Sequence, residues 1–345
     1  IQDIIIVVGY RREQIFDYMG NGERFGVDIT YKIQERQLGT AHALMQVREL
    51  TGSEFLVLPG DNLIDANTIK QFVNTGPDAV LVKKMENSAR YGIVSTEGNK
   101  VREIIEKTPE SESDVINTGI YSFTDSVYDY MDAELGIPDA INNMIIEGRT
   151  VSARETEGTW LDVVYPWDML SLNDAILQQL SPSQGGTIEA GVTLKGQVTI
   201  GKDTIIRSNT YLVGPIIIGE NCDIGPNVCI LPSTSIGDNV VIAPFTEIEN
   251  SVIGADTNIG PGSIIQDSVV DQGCVIKGHF TACSGDVEIR ANDSFHQVNV
   301  GAMLGVGCNL GNSVTAQPGL ILGNYCQVQA MKLLSGSLPD KSSVY

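Results

Sequence analysis

Five polar stretches punctuate the first 162 residues: Gln34-Glu35-Arg36-Gln37-Leu38-Gly39-Thr40-Ala41, Gly60-Asp61-Asn62, Tyr91-Gly92, Asn117-Thr118-Gly119 and Trp160-Leu161-Asp162. They supply side-chain amides at Gln34 and Asn117, bare backbone at Gly39 and Gly92, and carboxylates at Asp61 and Asp162. Magnesium favours one or two carboxylates completed by phosphate oxygens and water, so a pair of aspartates is a sufficient protein contribution to such a site. An isolated Asp after a strand more often serves a turn or a cap. The alternative for the Gln34 loop is a solvated connection in which Thr40 caps the following helix.

These residues need elements to hold them. Ile4 to Val8 is a continuous apolar run of the buried-strand type, ended by Gly9. Arg11 to Tyr18 reads as helix, Ile29 to Ile33 as strand, and Thr40 to Leu50 as helix, with apolar positions at Ala41, Leu44, Met45 and Leu50. Glu54 to Pro59 is a further strand, Asn67 to Val73 a helix and Ala79 to Val82 a strand. Alternating strand and helix predict an α/β domain with a mostly parallel, Rossmann-like sheet over residues 1–170, with its ligand at the carboxyl ends of the strands.

The second half follows a different rule. Eleven apolar residues recur every six positions: Ile188, Leu194, Ile200, Ile206, Leu212, Ile218, Ile224, Ile230, Ile236, Ile242 and Ile248. A helix of period 3.6 cannot hold that spacing on one face, whereas a β-solenoid can, with one short strand and one tight turn per repeat. Three repeats close a coil of about eighteen residues. The register slips by one at Ile248/Ile253 and at Ile265/Val270, breaks between Phe280 and Asn299, and is read to resume through Val300, Val306, Ala316, Leu322 and Val328. The expected organisation is a helix and linker at 171–187, a parallel β-helix over 188–334 and a separate tail at 335–345.

Composition narrows the possible partners. The chain has 345 residues, 43 acidic and 22 basic side chains and a net charge of −21, which disfavours nucleic acid. A phosphate-rich ligand must then be met by locally placed cations, backbone amides or a divalent ion. No run has the length and apolarity of a membrane span and no cleavable signal precedes the first strand, so a soluble cytoplasmic protein is the expectation. All six cysteines lie beyond residue 221. Cys222, Cys274 and Cys326 each follow a register aliphatic by four places, where such repeats take a small side chain, and the absence of a C-x-x-C pair gives zinc little support.

In order and spacing, the five polar stretches closely resemble the sugar-1-phosphate nucleotidylyltransferases of the glucose-1-phosphate thymidylyltransferase and N-acetylglucosamine-1-phosphate uridylyltransferase type. The resemblance covers nearly the whole chain, because two-domain members carry a C-terminal left-handed hexapeptide β-helix. It implies that Gln34, Gly39 and Thr40 contact the nucleotide base, with UTP or dTTP as donor. It implies that Asp61 and Asp162 hold Mg²⁺ against the α-phosphate. Gly92, Glu106 and Asn117 are the implied sugar contacts, and Lys107 lies near the sugar phosphate. The family usually reads Glu-Lys-Pro where this chain has Glu106-Lys107-Thr108-Pro109; a surface Glu-Lys pair on a turn is the alternative.

The same family opens with a Gly-rich G-x-G-T-R loop that cradles the triphosphate, followed by a Lys. No such loop precedes the solenoid here, and Ile1 to Ile4 resembles the family's second strand. The implied reaction is condensation of the nucleoside triphosphate with a sugar 1-phosphate, giving a nucleotide sugar and pyrophosphate, and the absence of the loop leads to the expectation that this sequence is inactive or impaired in it. A second expectation is a bifunctional enzyme: His279 falls where relatives place an acetyltransferase histidine, which would take a proton from a sugar amine as it attacks acetyl-CoA. A structural role for His279 is the alternative. A third is a non-catalytic regulatory or scaffold chain. The resemblance also implies a homotrimer or higher homo-oligomer, packed through the flat solenoid faces.

Overall fold

In a computed structural model the chain is described at residues 1–85, 91–105, 114–132, 134, 136–291 and 294–345. It divides into two compact units, Ile1–Asp162 and Val163–Tyr345.

The first unit contains strands β1 (Asp3–Val8), β2 (Asp28–Ile33), β3 (Glu54–Val57), β4 (Asn62–Ile64), β5 (Ala79–Lys84), β6 (Ile93–Glu97), β7 (Lys100–Ile105), β8 (Val115–Thr124), β9 (Ser152–Glu155) and β10 (Trp160–Asp162). Helices α1 (Arg12–Met19), α2 (Thr40–Met45), α3 (Ala66–Val73) and α4 (Ile137–Ile146) are interleaved with them. A six-stranded sheet runs in the order β3-β8-β5-β9-β7-β6, while β1 pairs with β2 and β4 with β10.

The α/β expectation holds, but strand direction is mixed where a mostly parallel sheet was expected. β1–β2 and β5–β9 are parallel; β3–β8, β5–β8, β7–β9, β6–β7 and β4–β10 are antiparallel. The apolar runs misled because they report coverage of both faces and carry no information about direction. Along β5, Ala79 and Leu81 face a core with Phe72, Ile93, Ile116 and Trp160, while Val80 and Val82 face one with Val94, Val101, Ile141 and Met144.

The second unit begins with helix α5 (Asp168–Leu177) and continues as a parallel β-solenoid. Short strands from Ser183 to Val344 stack into three sheets of nine, nine and eight strands among the described residues. The six-residue register is realised as a vertical stack, with Ile206 beside Ile224 and Ile224 beside Ile242. From Ile200 to Ile248 every register aliphatic is buried. Both one-residue slips occur at shortened corners, where Asn250 and Asp267 adopt positive φ. Residues 335–345, expected as a separate tail, contribute the strands Ser337–Leu338 and Ser343–Val344.

The break after Phe280 is an antiparallel hairpin, Gly285–Ala291 against Ser294–Val300. Beyond it the buried ladder is Leu304, Leu310, Ala316, Leu322, Val328 and Leu334, so Val300 and Val306 are displaced from the solenoid core that the sequence reading gave them. Val300 is apolar for another reason: it packs outside the coil with Trp167, Leu170, Ile289 and Met303. All six cysteines are free thiols, and Cys222, Cys274, Cys308 and Cys326 are buried in the stack.

Candidate active site

Strands β4 and β10 bring the two predicted carboxylates together. They pair antiparallel with Asn62 opposite Asp162, which sets Asp61 at the adjoining end. The Asn62 amide nitrogen donates to Asp162 Oδ1 at 2.8 Å and approaches Asp61 Oδ1 at 3.4 Å. Its orientation is fixed from the other side, because Trp160 Nε1 donates to Asn62 Oδ1 at 3.2 Å. One neutral amide therefore lies between two carboxylates. Asn62 was quoted within its stretch without a role; only the strand pairing reveals it.

The β4–β10 ladder ends where α3 begins. Asp65 accepts from the backbone N–H groups of Asn67 and Thr68 and, at 2.7 Å, from the Thr68 hydroxyl. That hydroxyl contact, with the backbone donors, holds the Asp65 carboxyl below its ordinary range.

A second cluster forms on β8. Asn117 donates its backbone N–H to Gly92 O at 2.8 Å, so the two implied sugar contacts are neighbours. The pairing of β8 with β5 shifts between Val80 and Val82, creating a bulge at residues 118–120. Within it Thr118 Oγ1 donates to Leu81 O at 2.6 Å, and Gly119 adopts φ +77°. The Asn117 side chain accepts from Gly119 N–H and donates to the Tyr121 hydroxyl at 2.7 Å. Among the described residues, one amide hydrogen and one lone pair remain for a ligand.

These clusters adjoin. The Tyr91 ring meets Trp160 edge-on at 5.3 Å, and a Cβ on Gly119 would stand 2.9 Å from Pro59 Cγ, in the turn leading to Asp61.

The third cluster follows β2. Gln34 continues the β1–β2 ladder through its N–H to Val8 O, and its amide nitrogen faces Gly39 O at 3.2 Å and His42 Nδ1 at 2.8 Å. Gly39 precedes α2 with φ +117°, a conformation that favours glycine. Thr40 is the first residue of α2, and its hydroxyl accepts from the N–H of Ile137 at 3.5 Å. His42 had been given no role by sequence reasoning.

Two predicted residues, Glu106 and Lys107, lie outside the described residues. His279 belongs to the second unit, at an exposed solenoid corner with φ +60°. Other coils place Asn227, Phe245 and Ser313 in the same left-handed corner conformation. The His279 ring lies against Gly262.

Among the described residues no group of three or more His, Cys, Asp or Glu side chains converges as a metal site. The Asp61–Asp162 pair is a smaller donor set, of the size that magnesium uses when phosphate and water complete its shell.

A family model described as nucleotidyl transferase matches residues 1–179, a stretch that includes all three clusters. The chain belongs to the nucleotidyl transferase family. A model described as GMPPB C-terminal domain matches residues 212–341, within the solenoid. Among curated relatives, the chain is 30% identical to "Bifunctional protein GlmU" of Methanococcus vannielii, over 100% of this chain and 87% of that protein. It is 29% identical to a bifunctional sugar-1-phosphate nucleotidylyltransferase/acetyltransferase of Sulfurisphaera tokodaii, over 95% and 84% of the two chains. It is 26% identical to a glucose-1-phosphate thymidylyltransferase of Streptomyces griseus, over 85% and 78%. The expected sugar-1-phosphate nucleotidylyltransferase with a C-terminal β-solenoid is thereby established at family level. Among the described residues no helix of this nucleotidyl transferase is long and apolar enough to cross a membrane.

Proposed function

We propose that this protein condenses UTP or dTTP with a sugar 1-phosphate, glucose 1-phosphate or N-acetylglucosamine 1-phosphate, to give a nucleotide sugar and pyrophosphate. The supporting observation is the convergence of Asp61 and Asp162 on the single amide of Asn62, from positions far apart in the chain. Two carboxylates gathered about one amide suit a magnesium ion that also takes phosphate oxygens, and the bound ion would neutralise charge on the transferring phosphate.

The remaining chemistry falls to positioning. The Gln34 loop would hold the base, and Gly92 with Asn117 the sugar. An oxygen of the sugar phosphate attacks the α-phosphorus and pyrophosphate leaves on the opposite side. Alignment and charge stabilisation supply most of the rate in such a transfer, so no covalent enzyme intermediate is needed. Glu106 and Lys107 are proposed partners of the sugar and its phosphate.

The test is pyrophosphate release by the full-length protein carrying Asp61→Asn or Asp162→Asn. Each substitution should lower the Mg²⁺-dependent rate by about 10²-fold or more while the fold is retained. Wild-type rates in both variants would refute the assignment.

One relative's name, a bifunctional sugar-1-phosphate nucleotidylyltransferase/acetyltransferase, supports a second reading, for which we propose N-acetylation of glucosamine 1-phosphate by acetyl-CoA with His279 as base. His279→Ala should abolish acetyl-CoA consumption; an unchanged rate removes His279 from that role. A homotrimer assembled through solenoid faces is proposed for the intact protein, with light scattering as its check.

A further inference from the structure

We infer that His42 is a positioning residue that sets which pyrimidine the Gln34 loop accepts, by locking the Gln34 amide with its oxygen outward. This rests on the reading of that loop as the base site.

The argument begins with Gly39. Its carbonyl can only accept a hydrogen bond, so the Gln34 atom 3.2 Å from it is the amide nitrogen. That nitrogen carries a second hydrogen, directed to His42 Nδ1 at 2.8 Å. Nδ1 must then be the unprotonated ring nitrogen, and the imidazole carries its proton on Nε2. Nε2 lies 3.3 Å from the Gln46 amide nitrogen, which donates to the His42 carbonyl oxygen at the same distance, so the shorter Gln34 contact decides the tautomer. Both Gln34 amide hydrogens are thus committed inside the protein. Only Oε1 remains, without a partner among the described residues, and it is purely an acceptor.

Pyrimidines differ at the matching position. Uracil and thymine present N3–H, a donor; cytosine presents a bare N3, an acceptor. A locked Oε1 takes the hydrogen of the first pair and meets the lone pair of cytosine with its own. Gly39 alone holds one hydrogen of the amide through a long contact, leaving it free to turn over and present NH₂ to cytosine. His42 supplies the second anchor, and with it the discrimination.

Titration calorimetry of the full-length protein with UTP, dTTP and CTP in the presence of Mg²⁺ tests this. Wild type should bind UTP and dTTP at least about tenfold more tightly than CTP, as the loss of one well-placed hydrogen bond with an unmatched acceptor in its place allows. His42→Ala should bring that ratio close to one. His42→Asn places an amide oxygen as many bonds from Cβ as Nδ1 and should retain the preference, whereas His42→Gln reaches only the Nε2 position and should lose it. A contribution through helix stability alone would move the melting temperature of all variants without separating Asn from Gln. If wild type prefers UTP and all three variants do too, His42 has no such role and the base site stands. If wild type binds no pyrimidine triphosphate, or binds CTP equally well, the base-site reading fails and this inference fails with it.

Discussion

The side-chain nitrogen of Asn62 lies 2.8 Å from a carboxylate oxygen of Asp162, a residue 100 positions further along the chain. The same nitrogen approaches Asp61, and Trp160 anchors the other end of the amide. Asn62 therefore spaces two like charges that would otherwise repel across a short gap. Asn62→Ala should cost about 10- to 100-fold in metal affinity or rate, the range found when outer partners of metal ligands are lost. Pyrophosphate release measured across a Mg²⁺ titration checks this: the half-saturating concentration should rise. An unchanged titration curve would show that the carboxylates keep their places without the amide.

Gly119 should be intolerant of a side chain for two separable reasons. Its φ is +77°, and an added Cβ would stand 2.9 Å from Pro59 Cγ. Gly148 has φ +85° but nothing within 4 Å of its Cβ position, so it controls for backbone strain alone. Gly148→Ala should cost about 1–2 kcal/mol. Gly119→Ala should cost more, and should also raise KM for the sugar phosphate, since the bulge orients Asn117. Thermal unfolding and steady-state kinetics distinguish the two variants.

Asp65 caps α3, and Asp65→Ala should lower stability by about 1 kcal/mol near neutrality. The Thr68 hydroxyl and the helix N–H groups depress its folded pKa below the unfolded value. The ionised cap therefore stabilises fully above the unfolded carboxyl pKa, about 3.9, and its contribution is lost as pH falls through the lower folded value. Urea unfolding from pH 7 to pH 3 should show a constant gap between wild type and variant down to about pH 5, closing in stronger acid. A gap that widened in acid would contradict the capping geometry.

The register beyond the hairpin makes a sharp contrast. Leu310 is fully buried in the stack whereas Val306 is not part of it. Leu310→Ala should destabilise by about 2–5 kcal/mol, and Val306→Ala by about 0.5 kcal/mol or less. Chemical denaturation monitored on the solenoid would reverse the assignment if Val306 proved the costlier site.

Much of the fold was legible in the chain, and the reasons are local. A six-residue spacing of aliphatics admits one regular solution, because each coil rests on the previous one and buries the same position every time. That is why Ile188 to Ile248 specified the solenoid, and why the slips at Ile248/Ile253 and Ile265/Val270 marked its shortened corners. The helix at Asn67 to Val73 and the strand at Ala79 to Val82 were readable in the chain, close to α3 and β5 as found. Strand direction was not, since side-chain pattern is the same for parallel and antiparallel neighbours when both faces are covered. After the hairpin the pattern was also misread: Val300 obeys apolar patterning for a second core, outside the coil.

The candidate site divides in the same way. Residue types and motif spacing by themselves determined Asp61, Asp162, Gln34, Gly39 and Asn117 as the groups to watch, and the family to which they belong. Only the tertiary structure decided that the two aspartates meet on one amide, that a bulge turns Asn117 toward Tyr121, and that His42 holds Gln34. Each of those depends on a hydrogen bond whose distance and direction are set by strand register or helix placement, and a linear sequence does not encode direction until the chain has packed.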